Sequence, residues 1–451
     1  MSIMGEGEIS STPQEADVRD DVTYRKVAWR LIPFLFVCYI VAYLDRINIG
    51  IAKLQMLNDL GLGNAAFAFG ASVLFWGLII FEVPSNFMMT RVGARAWISR
   101  IMISWGIAST AVAFTAPIAS ALGMEKSIVF YILRFALGVC EAGFFPGVML
   151  YLSYWFPSHR QTRALSGFLL AIPVSSVIGA SLSGWIMDST NNWLGVQGWR
   201  WMIIFEGTPA IILGIAVMLT FKNRPDQVGW LSPEEKLLIK RNLSEEDKTK
   251  KHNFWAAVTD RRTWIMSAIY FTYVTGIFGV GFWLPTIIHS SGVKTNLDVG
   301  LLSAIPYVGA SIAMLIHAKH SRATGERRLH SAIPAFVGGC GLILSVVFSH
   351  TIPVAIFFLT VGVSGLMCVM TVVWTLPSGF LSESAAAAGL AIIYTAGNFS
   401  GIVGAYVSSL AIDLTGDVRN GTYVLAAFML ASGAIVLLAP RDMFNTPRRR
   451  V

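Results

Sequence analysis

Long apolar runs alternate with short polar segments along almost the whole chain. Twelve runs stand out, at 31–52, 65–89, 96–118, 127–152, 164–187, 201–221, 263–289, 299–318, 331–349, 352–377, 386–412 and 422–439. Each is long enough for a helix to cross a hydrocarbon layer, which takes about 20 residues. Only helices and closed barrels satisfy the backbone in lipid, and these runs are too long and too apolar for barrel strands. A single long polar stretch, 222–262, separates six runs from six. Within it, Ser232-Pro233-Glu234-Glu235 predicts an N-cap with proline at the first helical position, opening a short helix through Leu243. The pattern predicts an all-α membrane protein of twelve transmembrane helices in two six-helix bundles. Its parts are an N-terminal tail (1–28), a first bundle (29–221), a linker (222–262), a second bundle (263–440) and a basic tail (441–451). Residues 1–22 are polar, lack the basic start and apolar core of a cleavable signal, and are expected to be a disordered tail.

Composition agrees. Hydrophobic residues make up 55% of the chain and charged residues 13%, against about 25% charged in soluble domains. The net charge of +8 invites a nucleic-acid reading, but its placement gives a different one. Basic residues crowd the even-numbered connections: Arg91, Arg95 and Arg100, then Arg160 and Arg163, ten in the linker, and Lys319, Arg322, Arg327 and Arg328. The opposite side holds only Lys53, Lys126, Arg200, Lys294 and Arg419. By the positive-inside bias both termini are expected on the cytoplasmic side. The expected partner is therefore a lipid bilayer, the bacterial cytoplasmic (inner) membrane, and not nucleic acid. The four cysteines lie inside apolar runs without framework or metal-ligand spacing, so free thiols are expected, with no metal and no cofactor.

Ionisable groups inside the runs are few, and each costs about 2.5–3.5 kcal/mol at the bilayer centre. They are Asp45, Arg46, Glu82, Arg134, Glu141 and Glu206. Asp45 and Arg46 diverge by about 100° around a helix. Tyr39, Tyr43 and Arg46 share a face. Arg46 offers a planar fork for a carboxylate, or a salt bridge to another helix. Arg134 and Glu141, seven apart, also share a face, as a proton-coupling pair or a structural one. Glu82 suits a gate or packing role, and Glu206 a pairing with Arg200 or a cap on a neighbouring helix. Asn398, Trp374, Thr375, Tyr270 and Tyr273 could line a cavity or simply pack.

The halves echo each other. Pro157-Ser158 matches Pro377-Ser378, and Gly167 and Gly179 match Gly389 and Gly401 at equal spacing. Internal repeats of this kind place a substrate site at the midplane between them. The motifs Tyr43-Leu44-Asp45-Arg46-Ile47-Asn48, Phe81-Glu82-Val83-Pro84-Ser85-Asn86 and Leu133-Arg134-Phe135 carry a wider resemblance. So do Glu141-Ala142-Gly143-Phe144-Phe145-Pro146-Gly147, Gly198-Trp199-Arg200-Trp201, Phe282-Trp283-Leu284-Pro285 and Gly397-Asn398. Together they resemble the major facilitator superfamily, in particular its anion:cation symporters, permeases for galactonate, glucarate, tartrate, hydroxyphenylacetate, phthalate and related acids.

That resemblance implies a proton-coupled symporter of an organic carboxylate working by alternating access, not an enzyme, with a monomer as the family's usual state. It implies substrate contact by Arg46 and proximity of Asn398 to the substrate, with Tyr43, Trp374 and Tyr273 as further candidates. It also implies proton coupling through Asp45 and Glu141, with Arg134 as partner of Glu141. A uniporter or sodium-coupled transporter of the same anions is the alternative, and a membrane enzyme or sensor a more distant one. Two loops depart from the superfamily pattern. Thr90-Arg91-Val92-Gly93 lacks the usual acidic residue, and Arg322 stands where an aspartate is common.

Overall fold

The computed structural model describes residues 13–157, 160, 171–247, 254–374, 376, 383–417 and 419–444. Among these, every regular element is helical. The first half contains α1 (Pro13–Leu60), α2 (Asn64–Val92), α3 (Ala94–Val112), α4 (Thr115–Leu122), α5 (Lys126–Glu141), α6 (Phe144–Ser153), α7 (Ala171–Ser189) and α8 (Gly198–Thr220). The linker carries α9 (Pro233–Asp247) and α10 (Phe254–Thr259). The second half contains α11 (Arg261–Ser290), α12 (Asn296–Thr324), α13 (Arg328–Val347), α14 (Ile352–Val373), α15 (Glu383–Thr415) and α16 (Asn420–Leu438). Ten spans among the described residues are long and apolar enough to cross a membrane, and α3 with α4 forms an eleventh, bent by 77°. Part of the fifth run, 164–170, lies outside the described residues, as do Arg163, Gly167, Ser158, Pro377, Ser378 and Thr375. The chain is a multi-pass membrane protein.

Three differences from the sequence expectation have simple causes. The expected disordered tail is helical from Pro13, because α1 continues through Tyr24 and Val27, both buried. The third run bends after Val112, where Pro117 in the first turn of α4 has no amide to offer the preceding carbonyls. The fourth run breaks between α5 and α6 at Gly143, whose φ of 85° is a left-handed conformation that suits glycine. A side chain there would also collide with Ser85.

The linker helix begins as a capping box. The Glu235 amide donates to Ser232 Oγ (3.2 Å), and Glu235 Oε2 accepts from the Ser232 amide (2.7 Å). The same carboxylate accepts from Lys26 Nζ at 2.9 Å, and Asn242 donates to Asp20 and to the Tyr24 hydroxyl. The start of α1 and the linker therefore share one end of the molecule, the linker end. Lys126 at the start of α5 donates to the Asp59 carbonyl at the close of α1, which marks the far end.

Within the first bundle α3 packs on α8, α2 on α5, and α1 on α7 and α8; within the second, α13 packs on α14 and α16, and α11 on α15 and α16. Among the described residues the bundles meet mainly through α7 with α12, α2 with α15, and α1 with α11. Small residues permit these approaches, as in membrane helix packing generally. A Cβ on Gly50 would lie 2.7 Å from the Gly281 carbonyl oxygen, so α1 and α11 touch backbone to backbone. Nearer the far end, Asp188 of α7 accepts from the Asn296 side chain and the Leu297 amide, both at 2.6 Å, at the opening of α12. These contacts close the far end.

Candidate functional site

A narrow cavity, with about 50 Å³ of room for water, lies between the bundles. The first bundle contributes Tyr39, Tyr43, Arg46, Phe145 and Ile172 to its wall; the second contributes residues from α11, α14 and α15 together with Trp374. Arg46 reaches it because α1 turns one stripe, Tyr39, Tyr43, Arg46 and Gly50, toward the second bundle. Phe145 reaches it because the break at Gly143 re-aims the start of α6.

The guanidinium of Arg46 is the positive centre of the wall. Its Nε (2.8 Å) and Nη2 (2.5 Å) both donate to a single oxygen, Oε1, of Glu141 on α5. The other carboxylate oxygen of Glu141 is buried and has no hydrogen-bond partner among the described residues. The side chain of Glu141 is 1% exposed and that of Arg46 10%, so the arginine is the member that meets the cavity.

Asp45 points away, as its position next to Arg46 on the helix requires. Its carboxylate accepts from the indole nitrogen of Trp105, from Ser109 Oγ at 2.7 Å and from Asn48 Nδ2 at 3.3 Å. It sits behind the cavity wall among α1 and α3.

Arg134 does not pair with Glu141. Its Nε is within 3.4 Å of the Gly70 carbonyl, and no carboxylate lies within ion-pair distance among the described residues. Two helical turns separate Arg134 from Glu141 along one helix, whereas Arg46 approaches Glu141 laterally from α1. Glu206 likewise does not pair with Arg200. It accepts from Ser183 Oγ at 2.6 Å, while Arg200 binds Asp59 at 2.7 Å.

Asn398 and Trp374 line the cavity. Asn398 Nδ2 donates to Glu82 Oε2 at 3.0 Å, which ties α15 to α2 across the bundles at the cavity's edge. Tyr273 does not line it. Tyr270, one turn earlier, occupies the wall, and Tyr273 packs behind it edge-on at 5.3 Å, fully buried. Phe145, Trp374 and Tyr394 form an aromatic layer toward the linker end, with Phe145 and Tyr394 stacked at 5.1 Å.

Lys53, one of the few basic residues expected on the opposite side, is buried at 2% exposure. Its ammonium has no hydrogen-bond partner among the described residues and rests 3.6 Å from the centroid of the Trp283 ring on α11. The spacing was a usable signal: Lys53 is seven residues beyond Arg46 and so shares its face.

Two helical bundles around a central cavity, with one arginine among the described residues of its wall, have the plan of a membrane transporter. Residues 35–405 match the Major Facilitator Superfamily, and the chain belongs to that family. It is 38% identical to the metabolite transport protein NicT of Pseudomonas putida, a provisional name, over 94% of this chain and 95% of that protein. It is 39% identical to a protein of Agrobacterium vitis provisionally named a tartrate transporter, over 93% of this chain and 91% of the other. The fold matches a crystal structure of a D-xylose-proton symporter at 16% identity, with a TM-score of 0.75 covering 93% and 99% of the two chains.

Proposed function

We propose that this protein is a proton-coupled symporter that imports an organic carboxylate across the bacterial cytoplasmic membrane, with both termini inside. The observation that carries this reading is the Arg46–Glu141 pair at the cavity wall. A guanidinium bound to one carboxylate is a site where another carboxylate can compete. Protonation of Glu141 removes the competitor and leaves Arg46 to the substrate.

Charge balance then couples the two ligands. In the empty site Arg46 and ionised Glu141 neutralise each other. In the loaded site Arg46 and the substrate do so while Glu141 carries a proton. Substrate without the proton leaves a net negative charge, and the proton without substrate a net positive one. Either would have to be buried as the cavity closes, which is costly. The neutral states are therefore the ones that reorient. Asp45, enclosed by Trp105, Ser109 and Asn48, serves as a second proton site. The basic even-numbered connections support the orientation. The names of the tartrate and metabolite transporters among the relatives support a small organic anion as cargo.

The test is uptake by proteoliposomes under an inward proton gradient without sodium, scored above protein-free liposomes for radiolabelled benzoate, galactonate and tartrate. One of these anions should accumulate, and a protonophore should abolish the accumulation. Accumulation that follows a sodium gradient instead, or uptake that only equilibrates, overturns the proposal.

A further inference from the structure

We infer that the cargo is a monocarboxylate with a flat aromatic body, and not a dicarboxylate or a polyhydroxylated acid. This deepens the proposed carboxylate symport and rests on it.

The first argument is charge. Among the described residues lining the cavity, Arg46 is the one cation. Two acidic side chains stand beside the wall, Glu141 on Arg46 itself and Glu82 on Asn398. A second substrate carboxylate would find no guanidinium or ammonium among the described residues of the wall, with Glu141 protonated in the loaded site and Glu82 beside the wall. Unpaired and desolvated, it would cost more than the remaining contacts return.

The second argument is the wall. Besides Arg46 it presents aromatic faces from both bundles. Phe145 and Tyr394 stack with an interplanar angle of 8°, and Tyr270 meets Trp374 nearly at right angles (77°) with centroids 5.2 Å apart. Aromatic pairs prefer these offset and edge-to-face arrangements, and a planar guest extends the same packing. The wall's one amide, Asn398, already commits its N–H to Glu82. A chain of hydroxyls needs a donor or acceptor for each group, whereas beyond the four phenolic hydroxyls of Tyr39, Tyr43, Tyr270 and Tyr394 this wall supplies ring faces and aliphatic carbons. The geometry thus holds a carboxylate at Arg46 and a ring toward the linker-end aromatic layer.

Calorimetric titration of the full-length protein in lipid nanodiscs at acidic pH tests this with a matched panel. Benzoate and 4-hydroxybenzoate should bind at least tenfold more tightly than phthalate, tartrate and galactonate. Cyclohexanecarboxylate, equal in charge but puckered, should bind several-fold more weakly than benzoate. Tyr394→Leu should raise the Kd for benzoate about tenfold and that for galactonate far less. Tighter binding of tartrate or galactonate, or equal affinity for the puckered ring, overturns the aromatic assignment and leaves carboxylate symport standing. Benzyl alcohol binding as tightly as benzoate, or no anion binding at all, overturns both.

Discussion

Glu141 holds Arg46 through one oxygen and leaves its second oxygen buried and, among the described residues, unsatisfied. That lopsided pairing keeps a cation at the wall of the cavity while marking the position of a replaceable carboxylate. It also fixes the sign of the pH dependence. On the proposed coupling, in which the proton and the cargo are carried together, acid should tighten substrate binding. In Glu141→Gln, Arg46 is always free of a charged partner, so the Kd should be low and flat with pH. Uphill accumulation should be lost while counterflow exchange persists. Titrations at several pH values, with uptake and counterflow in proteoliposomes, check this. A Glu141→Gln protein that still accumulates substrate against a gradient removes Glu141 from the coupling path.

Arg46→Ala should fail in two separable ways. Loss of charged hydrogen bonds to the cargo should weaken binding by roughly 10- to 100-fold or more. Glu141 would also be left as a buried carboxylate without its cation, and breaking such a pair costs about 3–5 kcal/mol. Thermal unfolding should show that loss, and Arg46→Ala combined with Glu141→Gln should recover most of the stability but none of the binding. Recovery of binding in the double variant would show that the cargo does not depend on the guanidinium.

How far the sequence discloses this site depends on which contacts are local. Helical periodicity places Tyr39, Tyr43 and Arg46 on one face, and all three meet the cavity. The same rule would have carried the stripe to Lys53 had the apolar run not been closed at residue 52. Tyr270 and Tyr273 are three apart and lie about 60° from each other around the helix, so only the packing of α11 against its neighbours decides which one faces inward. Glu141 has two candidate arginines, one on its own helix and one on α1. Local spacing favours Arg134, and the lateral approach of α1 to α5 favours Arg46. The left-handed break at Gly143 is a tertiary fit around Ser85, with no apolar interruption to announce it.

Lys53 and Trp283 form a contact between bundles near the closed far end. With an ammonium 3.6 Å from its centroid, the indole is the nearer of the two rings beside Lys53, that of Phe67 lying at 5.4 Å. A desolvated cation–π contact is worth about 2 kcal/mol. Trp283→Leu should destabilise the protein more than Lys53→Met, because it strands a buried charge. The double variant should be no worse than Trp283→Leu alone. A thermal double-mutant cycle in nanodiscs measures the coupling. Strictly additive losses would mean that the contact does not hold the far end together.

The linker's attachment to α1 should depend on acid. Burial opposes ionisation of Glu235, but the Lys26 ammonium and the Ser232 amide outweigh it and hold the carboxyl below its ordinary value of 4.5. A carboxyl depressed in the folded state contributes stability above the unfolded pKa and loses it as pH falls through the lower folded value. Protection from hydrogen exchange across Pro233–Asp247, relative to the intrinsic rate at each pH, should thus be constant from neutral pH down to about the ordinary carboxylate range, then fall below it. Ser232→Ala should speed exchange in the first turn at every pH, since it removes the cap, a loss of about 1 kcal/mol. Glu235→Gln should abolish the acid transition, because the amide cannot titrate or pair with Lys26 as an anion. An unaltered transition in Glu235→Gln would assign the acid sensitivity to another carboxyl.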